Sequence, residues 1–319
     1  MFKNIYTENL NIAVFDIETT GLRPLSDMII SASFIDEDGG GLRQYFCEDP
    51  QSEFLIINKI VEEFSKLDAV ITYNGFRFDI PFVKTRAQKY GIDVPDIFNI
   101  DVYKLLKKYW PVAKSMSSLS QGSVEYAMGL RDSRTDTIDG AECIPLYNDY
   151  LLTGDMDNVE KILLHNADDV RQLSKISNNL SFLPFHKVAF ENGYILKARA
   201  SYPGADDVRI NMSDISIEDS KIVAIGSSKQ NLPGLDIEND FYHLQYDSFS
   251  GAIRLELFLR EIDCYKYTDL TKLDVNPIDF KDFEGYNHDF LILIDNTKIY
   301  YKEINAVISE LIRRIVCGN

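Results

Sequence analysis

Cations are scarce in this chain. Its 33 lysines and arginines stand against 50 aspartates and glutamates, a formal net charge of −17. The acidic excess runs through both halves, which counts against tight, sequence-independent binding of long duplex, since that needs a broad cationic face. Handling a few nucleotides at a time with bound metals is not excluded, because the metals themselves neutralise phosphate charge. Cysteine is sparse as well. Cys47, Cys143, Cys264 and Cys317 are scattered, with no pair at metal-clip spacing, so reduced and mostly buried thiols are expected. Of the four histidines, His186, His243 and His288 have no carboxylate pattern around them and read as structural or surface residues. No apolar run reaches the ~18 residues of a membrane span. The opening residues lack the charged-then-apolar layout of a signal peptide, so a cytoplasmic protein is expected. Internal repeats and low-complexity segments are absent too.

What is present is ample apolar material. A chain of 319 residues that is 45% hydrophobic and 12% aromatic can fill one large core or two. Strand-like and helix-like segments alternate in the first half: strands at 12–17, 28–35 and 44–47, a helix at 52–67, a short strand at 68–73, and helices at 78–90, 102–109, 118–128 and 157–178. This order fits a mixed sheet with helices packed on it, an α/β class. After about residue 183 the texture changes to short β-rich runs (193–202, 221–225, 241–246, 252–259, 290–294) closed by an amphipathic helix over 301–316. The expected organisation is a first domain over 1–182 and a smaller α+β domain over 183–319.

The most informative stretch is residues 13–22. Ala13, Val14 and Phe15 supply the apolar run of a buried strand, and Asp16 and Glu18 follow two residues apart. Residues i and i+2 of a strand share a face, so the two carboxylates point the same way from rigid backbone. Anions held that close repel unless protonated or bridged by a cation. Hard divalent ions are their natural partners; a solvated acidic surface pair is the plainer alternative. The following Thr19-Thr20-Gly21 turn is suited to a phosphate or a nucleotide sugar.

Two further acidic elements stand downstream. Asn74-Gly75 is a turn signal, and Asp79 comes at the start of the next helix with Pro81 in its first turn; as a lone residue, Asp79 also reads as a simple N-cap. In the helix over 157–178, Val159, Ile162, Leu163, Val170, Leu173 and Ile176 form the apolar stripe. At about 100° per residue, Asp169 falls ~60° from the centre of that stripe and Asp168 ~160° away. Asp169 can thus reach a site at the sheet, whereas Asp168 is placed on the solvent side. His165 precedes Asp169 by one turn, as an ion-pair partner or a working side chain.

Together these elements resemble the DEDD superfamily of 3′–5′ exonucleases on a ribonuclease-H-like fold. Asp16 and Glu18 match its first motif, Asn74, Phe78 and Asp79 its second, and His165 with Asp169 its third, although the spacing is that of the tyrosine branch and the residue is histidine. Lys107-Lys108-Tyr109-Trp110, Asp139-Gly140, Pro145-Leu146-Tyr147 and the His-Asn-x-x-Asp run look like the bacterial YprB-type domain, so the resemblance covers about residues 10–180. It implies two Mg²⁺ or Mn²⁺ ions held by Asp16, Glu18, Asp79 and Asp169, with His165 as general base. It also implies a single-stranded DNA or RNA end received by Thr19, Thr20, Gly21 and Leu22 and shaped by Asn74 and Phe78. Arg86, two turns beyond Asp79, is either a phosphate contact or part of a surface ion pair. The competing expectation is a non-catalytic scaffold that binds nucleic acid or a protein partner; under either reading the C-terminal domain is expected to position substrate or to recruit a partner.

Overall fold

The computed structural model describes residues 10–198, 208–230, 232–273 and 275–317. They fall into two compact units that meet in sequence between Leu183 and Pro184.

In the first unit a five-stranded sheet runs in the order β3-β2-β1-β4-β5. Its strands are β1 (Ile12–Thr19), β2 (Ile29–Asp36), β3 (Arg43–Phe46), β4 (Ala69–Thr72) and β5 (Phe98–Asp101). β1 lies centrally, antiparallel to β2 and parallel to β4, which makes the sheet mixed. Around it stand α1 (Glu53–Lys66), α2 (Asp79–Lys89), α3 (Val102–Tyr109), α4 (Gln121–Ala127), α5 (Gly140–Thr153) and α6 (Met156–Asn178).

The alternation of β1 divides its residues between two chemistries. Ala13, Phe15 and Ile17 point into a core built with Ile56, Ile57, Ile60 and Phe64 of α1 and Phe82 and Val83 of α2. Phe15 stacks on Phe34 at 4.7 Å between ring centroids and meets the edge of Phe64 at 5.0 Å. Truncating a ring so enclosed costs about 3–5 kcal/mol. The intervening residues, Asp16 and Glu18, face the other side, where α5 and α6 lie. The β1–β2 register shifts between Glu18 and Thr19, a local irregularity of the kind that re-aims side chains at sites.

In the second unit, α7 (Phe185–Asn192) precedes an antiparallel six-stranded sheet of order β6-β7-β8-β11-β10-β9. Its members are β6 (Tyr194–Ala198), β7 (Val208–Ile217), β8 (Lys221–Ser228), β9 (Leu235–Glu238), β10 (Tyr242–Tyr246) and β11 (Ala252–Phe258). A smaller antiparallel sheet gathers β12 (Arg260–Ile262), β13 (Tyr265–Asp269), β14 (Tyr286–Asn287), β15 (Phe290–Asp295) and β16 (Lys298–Ile299). The closing α8 (Tyr301–Cys317) buries Ile304, Val307, Ile308, Leu311 and Ile312. Of the strand expected over 193–202, residues 199–202 lie outside the described residues. Among the described residues no helix is long and apolar enough to cross a membrane.

Candidate metal centre

β1 and α6 supply the centre. One carboxylate oxygen each from Asp16, Glu18 and Asp169 lies within 4.8 Å of the other two. Glu18 is buried and the other two are partly so. Asp79, the first residue of α2, is buried beside them, and its Oδ1 has no hydrogen-bond partner.

The electrostatics follow from that crowding. Burial pushes the Asp16 carboxyl well above its ordinary value, and the charges of Asp79, Asp169 and Glu18 push it further against the pull of Asn166. Burial does the same to Glu18, reinforced by Asp169 and opposed by a hydrogen bond from Cys143. Asp79 is pushed up to about 7, again mainly by burial. Carboxylates so destabilised as anions either keep their protons or take a cation. An orphaned buried oxygen and a converging all-oxygen donor set fit a hard divalent ion.

Other side chains fix this cluster in place. Asn166 donates from Nδ2 to Asp16 Oδ2 at 2.8 Å, while its Oδ1 accepts from the hydroxyls of Ser31 (3.1 Å) and Ser33 (2.6 Å) on β2. That pairing sets the amide and holds Asp16 in one rotamer. His165 bonds through Nδ1 to Asp136, which turns Nε2 toward Glu18 Oε1 and Asp169 Oδ2, each 3.6 Å away. Arg134 brings a cation to the centre. Its guanidinium grips Asp169, Asp136 (2.7 Å) and Glu125 of α4 (2.9 Å) together.

The turns expected to receive substrate border the same strand ends. Thr19 donates to the Gly21 carbonyl at 2.7 Å, and Thr20 Oγ1 accepts from the Met28 N–H at 2.9 Å, so both hydroxyls shape the turn itself. Leu22 is 80% exposed. Asn74 takes a left-handed conformation, φ 63°, fixed by Asp101, whose carboxylate accepts from the N–H groups of Asn74 (3.0 Å) and Phe76 (3.2 Å). Gly75 has no room for a side chain, since a Cβ there would stand 2.3 Å from Thr72 Oγ1. Phe78 packs inward on Phe82 at 5.4 Å, whereas Phe76 is exposed with the Lys104 ammonium over its ring.

Two expectations need correction. Asp168 is not on a solvent face: the segment over 131–139 covers that side of α6. Asp168 Oδ2 accepts from the N–H groups of Thr135 (2.5 Å) and Asp136 (2.8 Å) and from the Thr135 hydroxyl (2.9 Å). Burial alone would raise this carboxyl, but those donors outweigh it and hold it below its ordinary value. Arg86 is neither a phosphate contact nor a surface pair. It is buried and bonds Glu53 through Nε (2.8 Å) and Nη2 (2.5 Å), while Glu53 also accepts from the Ile29 N–H. Sequence reasoning missed Asp101, Arg134, Asp136 and Asn166. Only Asn166 carried a signal, a polar residue beside the stripe of α6.

A family profile described as RNase_H superfamily matches residues 13–181, more than half of the chain. Over 101 residues the chain is 38% identical to a DNA polymerase of Methanocaldococcus jannaschii, covering 28% of this chain and 6% of that protein. Over 183 residues it is 27% identical to the uncharacterized protein YprB of Bacillus subtilis, covering 55% of this chain and 43% of that one. The chain therefore spans less than half the length of either relative. A solved family B DNA polymerase from Pyrobaculum calidifontis aligns at TM-score 0.45 and 19% identity, covering 54% of this chain and 24% of that one.

Proposed function

The chain belongs to the RNase_H superfamily, and on that footing we propose that it is a divalent-metal-dependent 3′–5′ exonuclease of the DEDD type, hydrolysing phosphodiester bonds at single-stranded ends of DNA or RNA. The observation that carries this reading is the convergence of Asp16, Glu18 and Asp169, with Asp79 beside them, in a pocket that destabilises the charges of Asp16, Glu18 and Asp79. A scaffold that only binds has no use for such a cluster. The relatives named DNA polymerase support a nucleic-acid substrate.

Asp16, Glu18 and Asp169 would hold one Mg²⁺ or Mn²⁺, and Asp79 with Asp16 a second. When bound, such ions neutralise charge on the phosphoryl oxygens and acidify water. The chain's own groups do the rest. His165, its Nδ1 proton engaged by Asp136, presents Nε2 as the acceptor for the proton of the attacking water. Arg134 fixes both Asp169 and Asp136, so that base and carboxylate keep one geometry. The Thr19-Thr20-Gly21 turn would seat the terminal nucleotide with Leu22 against its base, and Asn74 and Phe78 would bound the pocket.

The test is a gel time course with 5′-labelled single-stranded DNA and RNA of matched sequence, with Mn²⁺ or Mg²⁺, beside Asp16→Asn. The expected result is a metal-dependent ladder shortening from the 3′ end and absent in the variant. Intact substrate, or equal cleavage by Asp16→Asn, overturns the proposal; the former favours the non-catalytic scaffold.

A further inference from the structure

Cys143 has no part in the chemistry above, yet it sits against it. It lies in the first turns of α5, fully buried, on the face that α5 turns to β1. Its thiol is directed at the Asp139 carbonyl, 4.0 Å away, and lies beside Glu18. One ligand atom each from Glu18, Cys143 and His165 lies within 4.8 Å of the other two, and all three residues are buried.

Three features distinguish this trio from a chance encounter. His165 Nε2 stands 3.6 Å from Glu18 Oε1, close to the ~3.3 Å edge of a tetrahedron whose bonds are ~2.0–2.1 Å long. Nδ1 of the same ring is bound to Asp136, whose side chain is buried and gripped by Arg134. A carboxylate behind a histidine is the arrangement that fixes a metal-binding imidazole and raises its basicity. Finally, Gly140 leaves the approach clear, since even a Cβ there would stay 3.7 Å from both Glu18 Oε2 and His165 Nε2.

The donor chemistry differs from that of the carboxylate cluster. Asp16, Glu18 and Asp169 offer oxygen only and suit hard ions; Glu18, Cys143 and His165 offer oxygen, sulfur and nitrogen and suit borderline ions. We propose that Glu18, Cys143 and His165 form a second metal-binding set, selective for a zinc-class divalent ion, which shares Glu18 with the carboxylate cluster. On binding, the Cys143 S–H bond breaks, its proton passes to solvent and Sγ bonds the ion.

The inference stands independently of the nuclease reading, and its test involves no nucleic acid. Co²⁺ is titrated into the full chain as a spectroscopic stand-in for Zn²⁺, and the near-ultraviolet sulfur-to-cobalt charge-transfer band is followed. The band is expected in wild type and in Asp169→Asn, to be discharged by Zn²⁺, and to be absent from Cys143→Ser. Asp136→Asn is expected to weaken cobalt binding about 10–100-fold. No band in wild type at saturating Co²⁺, or a band that survives Cys143→Ser, overturns the proposal. Because Cys143 is buried, circular dichroism first establishes that its variant folds. If it does not, His165→Gln replaces it: cobalt affinity at least about tenfold weaker supports the set, and unchanged affinity overturns it.

Discussion

Asp79→Asn isolates the electrostatic cost of the carboxylate cluster. Burial moves this carboxyl from its ordinary 3.8 to about 7, so the folded chain binds the proton more tightly than the unfolded chain does. The associated stability is present in full below pH ~4. It is lost as pH rises through about 7, where folded Asp79 ionises. At about 1.36 kcal/mol per tenfold change in proton affinity, the ionised residue costs up to about 4 kcal/mol. An amide is neutral at every pH, and its NH₂ replaces an oxygen that has no hydrogen-bond partner. In EDTA at pH 8 the variant is therefore expected to be more stable by up to about 4 kcal/mol, or about 8–16 °C in melting temperature for a unit of this size. At pH 4, on the acid side of the isoelectric point near 4.7, the gain should shrink below about 1 kcal/mol. Saturating Mn²⁺ should narrow the gap at pH 8, since an ion at ~100-fold its Kd stabilises wild type by about 2.7 kcal/mol. Thermal and urea unfolding at the two pH values decide the matter. A gain of equal size at both, or none at pH 8, refutes the reasoning.

Other substitutions probe the supports of the centre. Asn166→Ala strands the Ser31 and Ser33 hydroxyls and frees Asp16. It is expected to cost about 1–3 kcal/mol in urea unfolding and to weaken Mn²⁺ binding about tenfold, read by thermal shift. Arg86→Leu leaves the Glu53 carboxylate buried without its counter-charge and is expected to cost about 3–5 kcal/mol, with cleavage by the folded fraction unchanged; slower cleavage at full stability would restore Arg86 as a phosphate contact. Gly75→Ala drives a methyl group into Thr72 and is expected to destabilise by about 1–3 kcal/mol, measurable by calorimetry.

What the sequence made legible was periodic. The two-residue spacing of a strand brought Asp16 and Glu18 to one face, and the helical angle of Asp169 pointed it at the same place. Periodicity is blind to what covers a helix from outside. Asp168 was misplaced because the segment over 131–139, which has no repeating pattern, folds over α6 and supplies three donors to that carboxylate. Arg134 and Asp136 were invisible for the same reason. α5 escaped notice although Asp139 and Glu142 form a capping box, a readable signal, because Pro145 inside the helix reads as a break. In the second unit the texture announced β structure, but β14 and β16, two residues each, are too short to show a period and are defined only by their pairing with β15.

The bond from Asn166 to Asp16 joins residues 150 positions apart, and that separation sets a schedule for synthesis on the ribosome. β1 emerges early with its two carboxylates in place, but α6 must follow before Asp16 has its clamp and Asp169 arrives. At roughly 5–20 residues per second, the interval is roughly 8–30 s. Throughout it the nascent chain carries a half-built anion cluster without Asn166 to restrain it. A cell translating this chain therefore assembles no complete carboxylate cluster from any fragment that stops before α6.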